Sequence, residues 1–266
     1  MSSIKPQLLK IGPISGMHYS CGTKPKGILI YAIGAPVVPD SGQLSDAKFI
    51  LEKKIDLFVP DYMGFGRSDG QFTPLNCIKT LLFLYDAVTG GCVGINSYDD
   101  MKLKLKYKQV LFVGKSLGGA YVPLLPKFNH KIQKLAIFYP AVDQKSQGKV
   151  AGEESNAKFI QSMKKDGYYH LYRGILNKTW LKHLENQDGL SPMDNIKYLS
   201  NARLFIAHGK LDKCIHYSKS VIYYKKILEI FPNKKDQFSL KLYSAGDHSP
   251  STTNLAIRDC LMYFNL

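Results

Sequence analysis

The stretch Gln109-Val-Leu-Phe-Val-Gly-Lys-Ser-Leu-Gly-Gly119 decides the fold of this 266-residue chain. Residues 109–113 form an apolar run typical of a buried strand, and a helical pattern begins at Leu117. A serine between glycines at a strand-to-helix junction indicates a nucleophile elbow, a tight turn that presents the hydroxyl of Ser116 at the carboxyl edge of the sheet. The backbone N–H of Leu117 then lies at the helix N-terminus, where it can stabilise an oxyanion.

The same stretch contains Gly-Lys-Ser, which also ends a phosphate-binding loop. That loop needs a glycine five positions before Gly114, with a flexible backbone between the two glycines. Position 109 is Gln, and the strand pattern leaves no room for a loop that wraps phosphate. We therefore do not expect the chain to bind nucleotides.

Short apolar runs alternate with helical patterns on both sides of this stretch, which predicts an α/β fold with a mostly parallel sheet and crossover helices. Strands are predicted at 27–33, 55–59, 109–113, 134–139, 203–207 and 238–243. Helices are predicted at 41–54, 74–88, 117–125, 216–231 and 250–264. Pro123 predicts that the helix after Ser116 bends or ends early. Residues 8–20 are expected to add one or two antiparallel edge strands.

We expect one domain, 1–266, with a single long insertion. About 60 residues separate Tyr139 from Arg203, far more than one crossover helix needs. We interpret 144–190 as a helical cap or lid over the strand ends. Aromatic residues of this segment either line an apolar acyl pocket or pack the cap onto the sheet: Phe159, Tyr168, Tyr169, Tyr172 and Trp180.

A serine hydroxyl is too weakly acidic to attack a carbonyl unaided, so a general base is needed. His248 follows the last predicted strand and precedes the final helix, in Ala245-Gly-Asp-His-Ser249. Loops that follow parallel strands open at the same edge as Ser116, and this setting favours His248. His208 also follows a strand and is the competing candidate.

The base in turn needs an acid that fixes the imidazole tautomer and stabilises the imidazolium. Asp212 lies after the strand that precedes the histidine strand and is the expected acid. Asp143, after the fourth strand, is the fallback. Asp247, beside the base, is expected to be a turn or helix-capping residue.

These motifs resemble the α/β-hydrolase superfamily, in its monoacylglycerol-lipase-like and prolyl-oligopeptidase-like groups. The chain order Ser116, Asp212, His248 matches the family's Ser…Asp…His order. The resemblance implies the α/β-hydrolase fold, with helices on both faces of the sheet and a Ser-His-Asp triad.

Two further motifs carry the same resemblance. Asp61-Tyr-Met-Gly-Phe-Gly-Arg-Ser68 resembles the family's D-x-x-G-x-G-x-S loop, and Ser191-Pro…Leu199 resembles the stretch that leads into its acid-bearing strand. The resemblance runs from about Gly27 to the C-terminus, outside the cap.

The sequence departs from the family at two places. Where the family often has His-Gly, this chain has Ile33-Gly-Ala-Pro36, and proline has no N–H to donate. The second oxyanion donor is therefore expected to be Ala35, with Gly34 as the alternative. Lys115 stands beside the serine, where neutral or acidic residues are common. It is expected to point into solvent, and the alternative is that its charge raises the local positive potential.

The resemblance implies hydrolysis of a carboxylic ester or thioester, of lipid-like or small acyl type, through an acyl-enzyme. A small peptidase is the second possibility, and a non-catalytic binding protein that kept the fold is the third. No cofactor and no metal are expected. A fluorophosphonate probe distinguishes an enzyme from a scaffold.

The amino-acid composition limits the kinds of partner that this chain is expected to bind. The formal net charge is +15, but only four of the 36 basic residues are arginines, the side chain that base-reading and phosphate-fork sites prefer. We therefore expect no nucleic-acid partner. Lysines at alternate positions from Lys102 to Lys108 are interpreted as an exposed loop or ribbon, while contact of the lysine-rich surface with an anionic membrane or acyl carrier stays open.

The five scattered cysteines form no metal-binding pattern and are expected to be reduced. Residues 1–10 lack the apolar centre of a secretory signal, so a cytoplasmic location is expected.

Overall fold

The computed structural model describes residues 5–22, 24–165, 168–175 and 177–266. The strands within these ranges are β1 (Gln7–Ile11), β2 (Ile14–Tyr19), β3 (Gly27–Ala32), β4 (Ile55–Pro60), β5 (Cys92–Asn96), β6 (Lys102–Leu105), β7 (Val110–Lys115), β8 (Lys134–Phe138), β9 (Arg203–Gly209) and β10 (Phe238–Tyr243). They form one sheet in the order β10-β9-β8-β7-β3-β4-β2-β1-β5-β6.

The sheet has a parallel part and an antiparallel part. Strands β4, β3, β7, β8, β9 and β10 are parallel neighbours. Strands β2, β1, β5 and β6 extend the sheet beyond β4 with antiparallel pairing. All residues of β3 and β4 are buried, as expected where helices cover both faces of a parallel sheet.

The helices are α1 (Ala47–Leu51), α2 (Pro74–Gly90), α3 (Gly118–Tyr121), α4 (Leu125–Phe128), α5 (Asn156–Lys165), α6 (Lys178–Leu184), α7 (Ser218–Ile230) and α8 (Pro250–Tyr263). Helix α2 begins as the sequence predicts, with Pro74 in the first turn and the side chain of Thr73 accepting a hydrogen bond from the N–H of Asn76. The predicted effect of Pro123 is confirmed, because a 3₁₀ turn at Val122–Leu124 separates α3 from α4. In the described parts of the chain, no helix is both long and apolar enough to cross a bilayer.

The helix predicted at 41–54 is wrong in its first half. Gly42 has a φ of +90°, a left-handed conformation that ends any regular helix. Its N–H donates to Oδ1 of Asp40 at 3.1 Å, the local side-chain bond that competes with helix formation. Helix α1 therefore begins only at Ala47.

The lysine-rich stretch forms the exposed ribbon that the sequence indicates. Strand β6 pairs with β5 at the end of the sheet, and Lys102 and Lys104 lie opposite Ile95 and Val93 on the solvent face. The other face packs on the core, because a Cβ at Gly94 would lie 3.1 Å from a methyl carbon of Leu9.

Described residues of the segment 144–190 contact the loop that follows β4. Its aromatic residues Tyr172 and Trp180 are buried against Phe65 and Phe72, and the ring centroids of Phe72 and Trp180 are 5.1 Å apart. The indole N–H of Trp180 donates to the carbonyl oxygen of Phe72 at 2.7 Å.

Candidate active site

Ser116 occupies the turn between β7 and α3 with a φ of +54°, a left-handed conformation that is unfavourable for a side-chain-bearing residue. The flanking glycines make this turn possible. A Cβ at Gly114 would lie 2.4 Å from the carbonyl oxygen of Gly118, and one at Gly118 would lie 2.1 Å from that of Ala32. The structure therefore forms the strained turn that the motif predicts.

His248 and Asp212 are joined by a hydrogen bond of 2.7 Å between Nδ1 and Oδ2. His248 lies between β10 and α8, and Asp212 lies between β9 and α7. The Asp212 side chain is fully buried, while that of His248 is 22% exposed. An ionised carboxylate only accepts hydrogen bonds, so Nδ1 of His248 carries the proton and Nε2 is left as the basic nitrogen.

The remaining bonds of Asp212 hold its carboxylate in place. Oδ1 accepts hydrogen bonds from the backbone N–H groups of Cys214 and Ile215 at 2.8 and 2.9 Å. Burial would raise the pKa of this carboxyl, but hydrogen bonds from His208, His248 and the backbone outweigh it and hold the pKa well below the usual range. Asp212 is therefore ionised at neutral pH.

His208, the competing base, lies behind Asp212 and has no exposed surface. Its Nε2 donates to the carbonyl oxygen of Ile215 at 2.9 Å and lies 3.3 Å from Oδ2 of Asp212. Its Nδ1 is 2.7 Å from the hydroxyl of Ser220, from which it accepts a hydrogen bond. Both ring nitrogens are thus occupied, which makes His208 a support for Asp212 rather than a base facing substrate.

Ser116 and His248 line one cavity of about 400 Å³, at the edge where the parallel strands end. Among the described residues, no hydrogen bond of 3.5 Å or less joins the Ser116 hydroxyl to the His248 ring. The structure thus brings the two side chains to one cavity without the hydrogen bond that proton transfer requires. Catalytic hydrogen bonds are often long without substrate and tighten when it binds.

The expected oxyanion donors lie beside Ser116. Gly34, Ala35 and Leu117 all line the cavity, and a Cβ at Gly34 would lie 2.9 Å from Cβ of Ser116. The next N–H along this loop, that of Val37, donates to the hydroxyl of Tyr172 at 2.8 Å and is not free.

Asp143 and Asp247, the other two acidic residues that the sequence singles out, do not take the place of Asp212 beside His248. Oδ1 of Asp143 accepts a hydrogen bond from the side chain of Asn186 at 2.8 Å, within 144–190. Asp247 takes the turn role expected of it, since its N–H donates to the hydroxyl of Thr252 in α8 at 2.9 Å.

The expectation that Lys115 points into solvent is wrong. This side chain is half-buried and lines the same cavity as Ser116. Its ammonium lies 5.9 Å from the centroid of the Tyr31 ring. Lys115 is the last residue of the central strand β7. Residues 34–37 and 248–250, from two loops, line the same cavity.

Some aromatic residues of 144–190 line the cavity, and others pack this segment onto the rest of the protein. Phe159 lines the cavity, whereas Tyr172 and Trp180 pack this segment onto the body of the protein. Tyr168 is partly buried against the core, and Tyr169 is 51% exposed.

Tyr139 was not singled out from the sequence. Its ring centroid lies 4.3 Å from that of His248, and its hydroxyl bonds to Thr253 in α8. Its φ is +36°, also in the left-handed region. Tyr139 therefore fixes one side of the imidazole, a role that a tyrosine at the end of a strand pattern does not reveal.

Cys214 lies close to the histidine–aspartate pair. Its Sγ and donor atoms of Asp212 and His248 lie within 4.8 Å of one another. Burial, followed by the charges of Glu154 and Asp212, raises the pKa of the Cys214 thiol to about 11. Metal ions bind the thiolate, so this protonated thiol and a carboxylate already bound to His248 make a poor metal site at neutral pH.

No protein-family model matches the sequence, and no curated protein sequence matches it. The fold, in contrast, is similar to many solved structures. A puromycin hydrolase superposes with a TM-score of 0.69 at 11% identity, covering 99% of this chain and 40% of that protein. The chain thus spans less than half of this larger neighbour.

Two neighbours of similar length superpose over nearly their whole chains. TT1662 from Thermus thermophilus gives a TM-score of 0.65 at 12% identity, covering 98% of this chain and 97% of the other. The monoacylglycerol lipase of Paleococcus ferrophilus gives 0.62 at 13% identity, covering 94% and 99%. The chain has the α/β-hydrolase fold, as its motifs predict.

Proposed function

We propose that this chain is a serine hydrolase that cleaves a carboxylic ester or thioester, with Ser116 as nucleophile, His248 as general base and Asp212 as the orienting acid. The observation that carries the proposal is the 2.7 Å bond to buried Asp212 from His248, which lines the same cavity as Ser116. A strained serine turn and an oriented imidazole at one edge of a sheet are the parts that acyl transfer needs.

The reaction proceeds in two steps. Oγ of Ser116 forms a bond to the carbonyl carbon while Nε2 of His248 takes the hydroxyl proton. The tetrahedral intermediate then breaks its bond to the leaving oxygen or sulfur, which receives that proton from His248. Water, deprotonated by His248, attacks the acyl-enzyme, and Ser116 leaves with its proton restored.

Negative charge develops on the carbonyl oxygen in both steps. We assign its stabilisation to the backbone N–H groups of Leu117 and Ala35, with Gly34 as the alternative to Ala35. These donors are fixed by the fold before substrate arrives, which is what makes such groups effective.

We propose that 144–190 is a cap within a single domain. A buried ion pair fastens its first part to the acid-bearing loop: Nζ of Lys219 lies 2.7 Å from Oε1 of Glu153, which also accepts from the N–H of His216 at 2.9 Å. Phe159 supplies an apolar wall, and a cavity of about 400 Å³ suits an acyl group of modest size.

We also propose where the protein acts and what its surface contacts. Its five cysteines form no disulfide, which is expected in a reducing compartment such as the cytoplasm. The exposed ribbon formed by β5 and β6, with Lys102 and Lys104 on one face, is the surface that we assign to an anionic membrane or acyl carrier.

Two alternatives to an esterase are tested in the same experiment. A peptidase is favoured by the superposition on puromycin hydrolase over 99% of this chain. A non-catalytic binding protein is favoured by the missing serine–histidine hydrogen bond among the described residues.

The experiment combines a fluorophosphonate probe with p-nitrophenyl esters of increasing chain length and aminoacyl anilides. The folded protein should be labelled at Ser116 and should hydrolyse esters faster than anilides. Ser116→Ala should abolish labelling and lower kcat by a factor on the order of 10⁶. Ser162→Ala is the matched control, because Ser162 lines the same cavity outside the proposed triad. Anilide turnover that exceeds ester turnover would favour the peptidase, and folded protein that takes up no probe would favour the scaffold.

A further inference from the structure

Lys115 is a positively charged residue in the lining of the candidate active-site cavity. It ends β7, precedes Ser116 in the chain and lines the cavity between the loop at 34–37 and the start of α8. Its side chain is half-buried, with the ammonium 5.9 Å from the centroid of the Tyr31 ring.

Among the described residues, no carboxylate oxygen lies within 4.0 Å of this ammonium. Burial lowers the pKa of Lys115, and the more distant carboxylates of Asp46 and Asp40 oppose that shift. Asp46 is itself buried, which raises the pKa of its carboxyl, and Asp40 is occupied by the hydroxyl of Tyr19 at 2.6 Å. Lys115 has therefore lost part of its hydration without forming an ion pair.

The rest of the cavity does not neutralise this charge. Glu154 lines it too, but its carboxylate lies 2.6 Å from the ammonium of Lys158. The other polar side chains along the described lining carry no carboxylate: Ser116, Tyr139, Gln144, Gln147, Ser155, Asn156, Ser162, Cys214, His248 and Ser249. An anionic group that enters the cavity therefore meets Lys115 without a competing carboxylate bound to it.

We propose that Lys115 binds a carboxylate or phosphate group of the substrate, so that the chain hydrolyses anionic esters in preference to neutral esters of matched shape. The inference rests on the proposed acyl-transfer function and names its substrate class. Residues 115 and 116 line the same cavity, so one bound substrate can place its anionic group at Lys115 and its scissile carbonyl at Ser116. Lys115 is half-buried, so salt screens the interaction less than it screens the surface lysines.

The test compares kcat/KM for anionic and neutral esters. On the acyl side, mono-p-nitrophenyl glutarate is compared with p-nitrophenyl pentanoate. On the leaving-group side, 4-acetoxybenzoate and 4-acetoxyphenyl phosphate are each compared with 4-acetoxytoluene. The wild-type protein should prefer the anionic ester in at least one comparison by about 10- to 100-fold, the range expected for a hydrogen bond to a charged group. The comparison that shows the preference identifies the side and the kind of anion.

Three variants locate the effect. Lys115→Met should lower the anionic-to-neutral ratio by about 10- to 100-fold, and Lys115→Arg, which keeps the charge, should retain most of the preference. Lys226→Met removes one charge from the exposed surface of α7, outside the cavity, and should leave the ratio unchanged. An equal loss of preference in Lys226→Met would assign the effect to overall surface charge and overturn the proposal.

The failure of this inference is distinguishable from that of the proposed function. Ester hydrolysis with no anionic preference, or with a preference that survives in Lys115→Met, overturns the role of Lys115 alone. If no ester is cleaved, the proposed function fails and binding decides: glutarate, but not glutaramide, should raise the Tm of wild-type and Lys115→Arg protein and not that of Lys115→Met. The same Tm response in all three proteins would overturn the binding role.

Discussion

Oδ2 of Asp212 lies 2.7 Å from Nδ1 of His248, and the carboxylate is fully buried while the imidazole reaches the cavity. This relationship fixes which ring nitrogen is basic. In the mechanism that we propose, the charge of Asp212 also stabilises the imidazolium that forms when Ser116 gives up its proton.

Replacing Asp212 by asparagine should lower kcat by a factor on the order of 10⁴, because an amide no longer fixes the imidazole tautomer. The measurement is steady-state hydrolysis of the best p-nitrophenyl ester, with circular dichroism to establish that the variant is folded. Asp247→Asn is the matched control and should change kcat by less than about tenfold, since the N–H of residue 247, which bonds to Thr252, survives the substitution. A folded Asp212→Asn variant with wild-type kcat would contradict the assignment.

Asp212 should also make stability depend on pH. Its pKa is lower in the folded protein than the usual value of about 3.9 in the unfolded chain, so the unfolded chain binds the proton first. The stabilisation is therefore present at neutral pH and is lost as the pH falls below about 5 towards the native pKa. Urea unfolding of wild-type and Asp212→Asn proteins should show a difference in free energy of unfolding that shrinks between pH 7 and pH 3.5.

The same comparison with Asp236→Asn is the control, because Asp236 is exposed and forms no ion pair among the described residues. A difference between wild-type and Asp212→Asn proteins that stays constant over this pH range would show that the carboxylate is not held ionised by its neighbours.

Gly118→Ala should destabilise the fold, since the new Cβ would lie 2.1 Å from the carbonyl oxygen of Ala32. Overpacking of this kind costs about 1–3 kcal/mol. Gly90→Ala, at the end of α2, meets nothing within 4 Å and should be neutral or up to about 1 kcal/mol stabilising. Thermal and urea unfolding measure both variants, and equal stabilities would show that the turn is looser than described.

The buried pair of Lys219 and Glu153 should anchor the proposed cap. The two side chains are 4% and 0% exposed, so Lys219→Met leaves a buried carboxylate without its cation and should cost about 3–5 kcal/mol. Adding Glu153→Gln to Lys219→Met should recover part of that loss. The exposed pair of Lys158 and Glu154 provides the control, and Lys158→Met should change the free energy of unfolding little.

Urea unfolding of wild-type, Lys219→Met, Glu153→Gln and doubly substituted protein gives the coupling free energy directly. A double variant no more stable than Lys219→Met would argue against an ion pair as the source of the effect.

The Cys214 thiol should resist alkylation. Its pKa of about 11, against the ordinary 9.0, lowers the thiolate fraction at pH 8 by a factor on the order of 100. Iodoacetamide should therefore modify this position far more slowly in the native protein than in urea, as followed by peptide mass spectrometry. Cys214→Ala identifies the peptide, and rapid native labelling would mean that the thiol is ionised.

The sequence predicts the fold and the neighbourhood of the site because both depend on local patterns. Ser116, Asp212 and His248 each follow a strand of one parallel sheet, and such strand ends meet at one edge whatever the details of packing. The flanking glycines predict the turn for an equally local reason, since a Cβ at either position meets backbone atoms nearby.

Roles that depend on distant segments were not predictable in this way. His208 supports Asp212 because α7 supplies the hydroxyl of Ser220, and the side of the cavity that Lys115 faces depends on loops far away in the chain. The prediction of a helix at 41–54 is wrong in its first half for a local reason. The left-handed conformation of Gly42 and its hydrogen bond to Asp40 prevent a helix there, although the apolar residues have helical spacing.

Within the described ranges, strand β6 ends the sheet on one side, so one row of its backbone N–H and C=O groups has no neighbouring strand there. Such an edge is a template for aggregation between molecules, and charged side chains along it are a common safeguard. Lys102 and Lys104 provide that protection here, since a second copy docking edge to edge would bring ammonium groups together. High salt weakens this repulsion, so the net charge of the chain guards its solubility most effectively in dilute buffer.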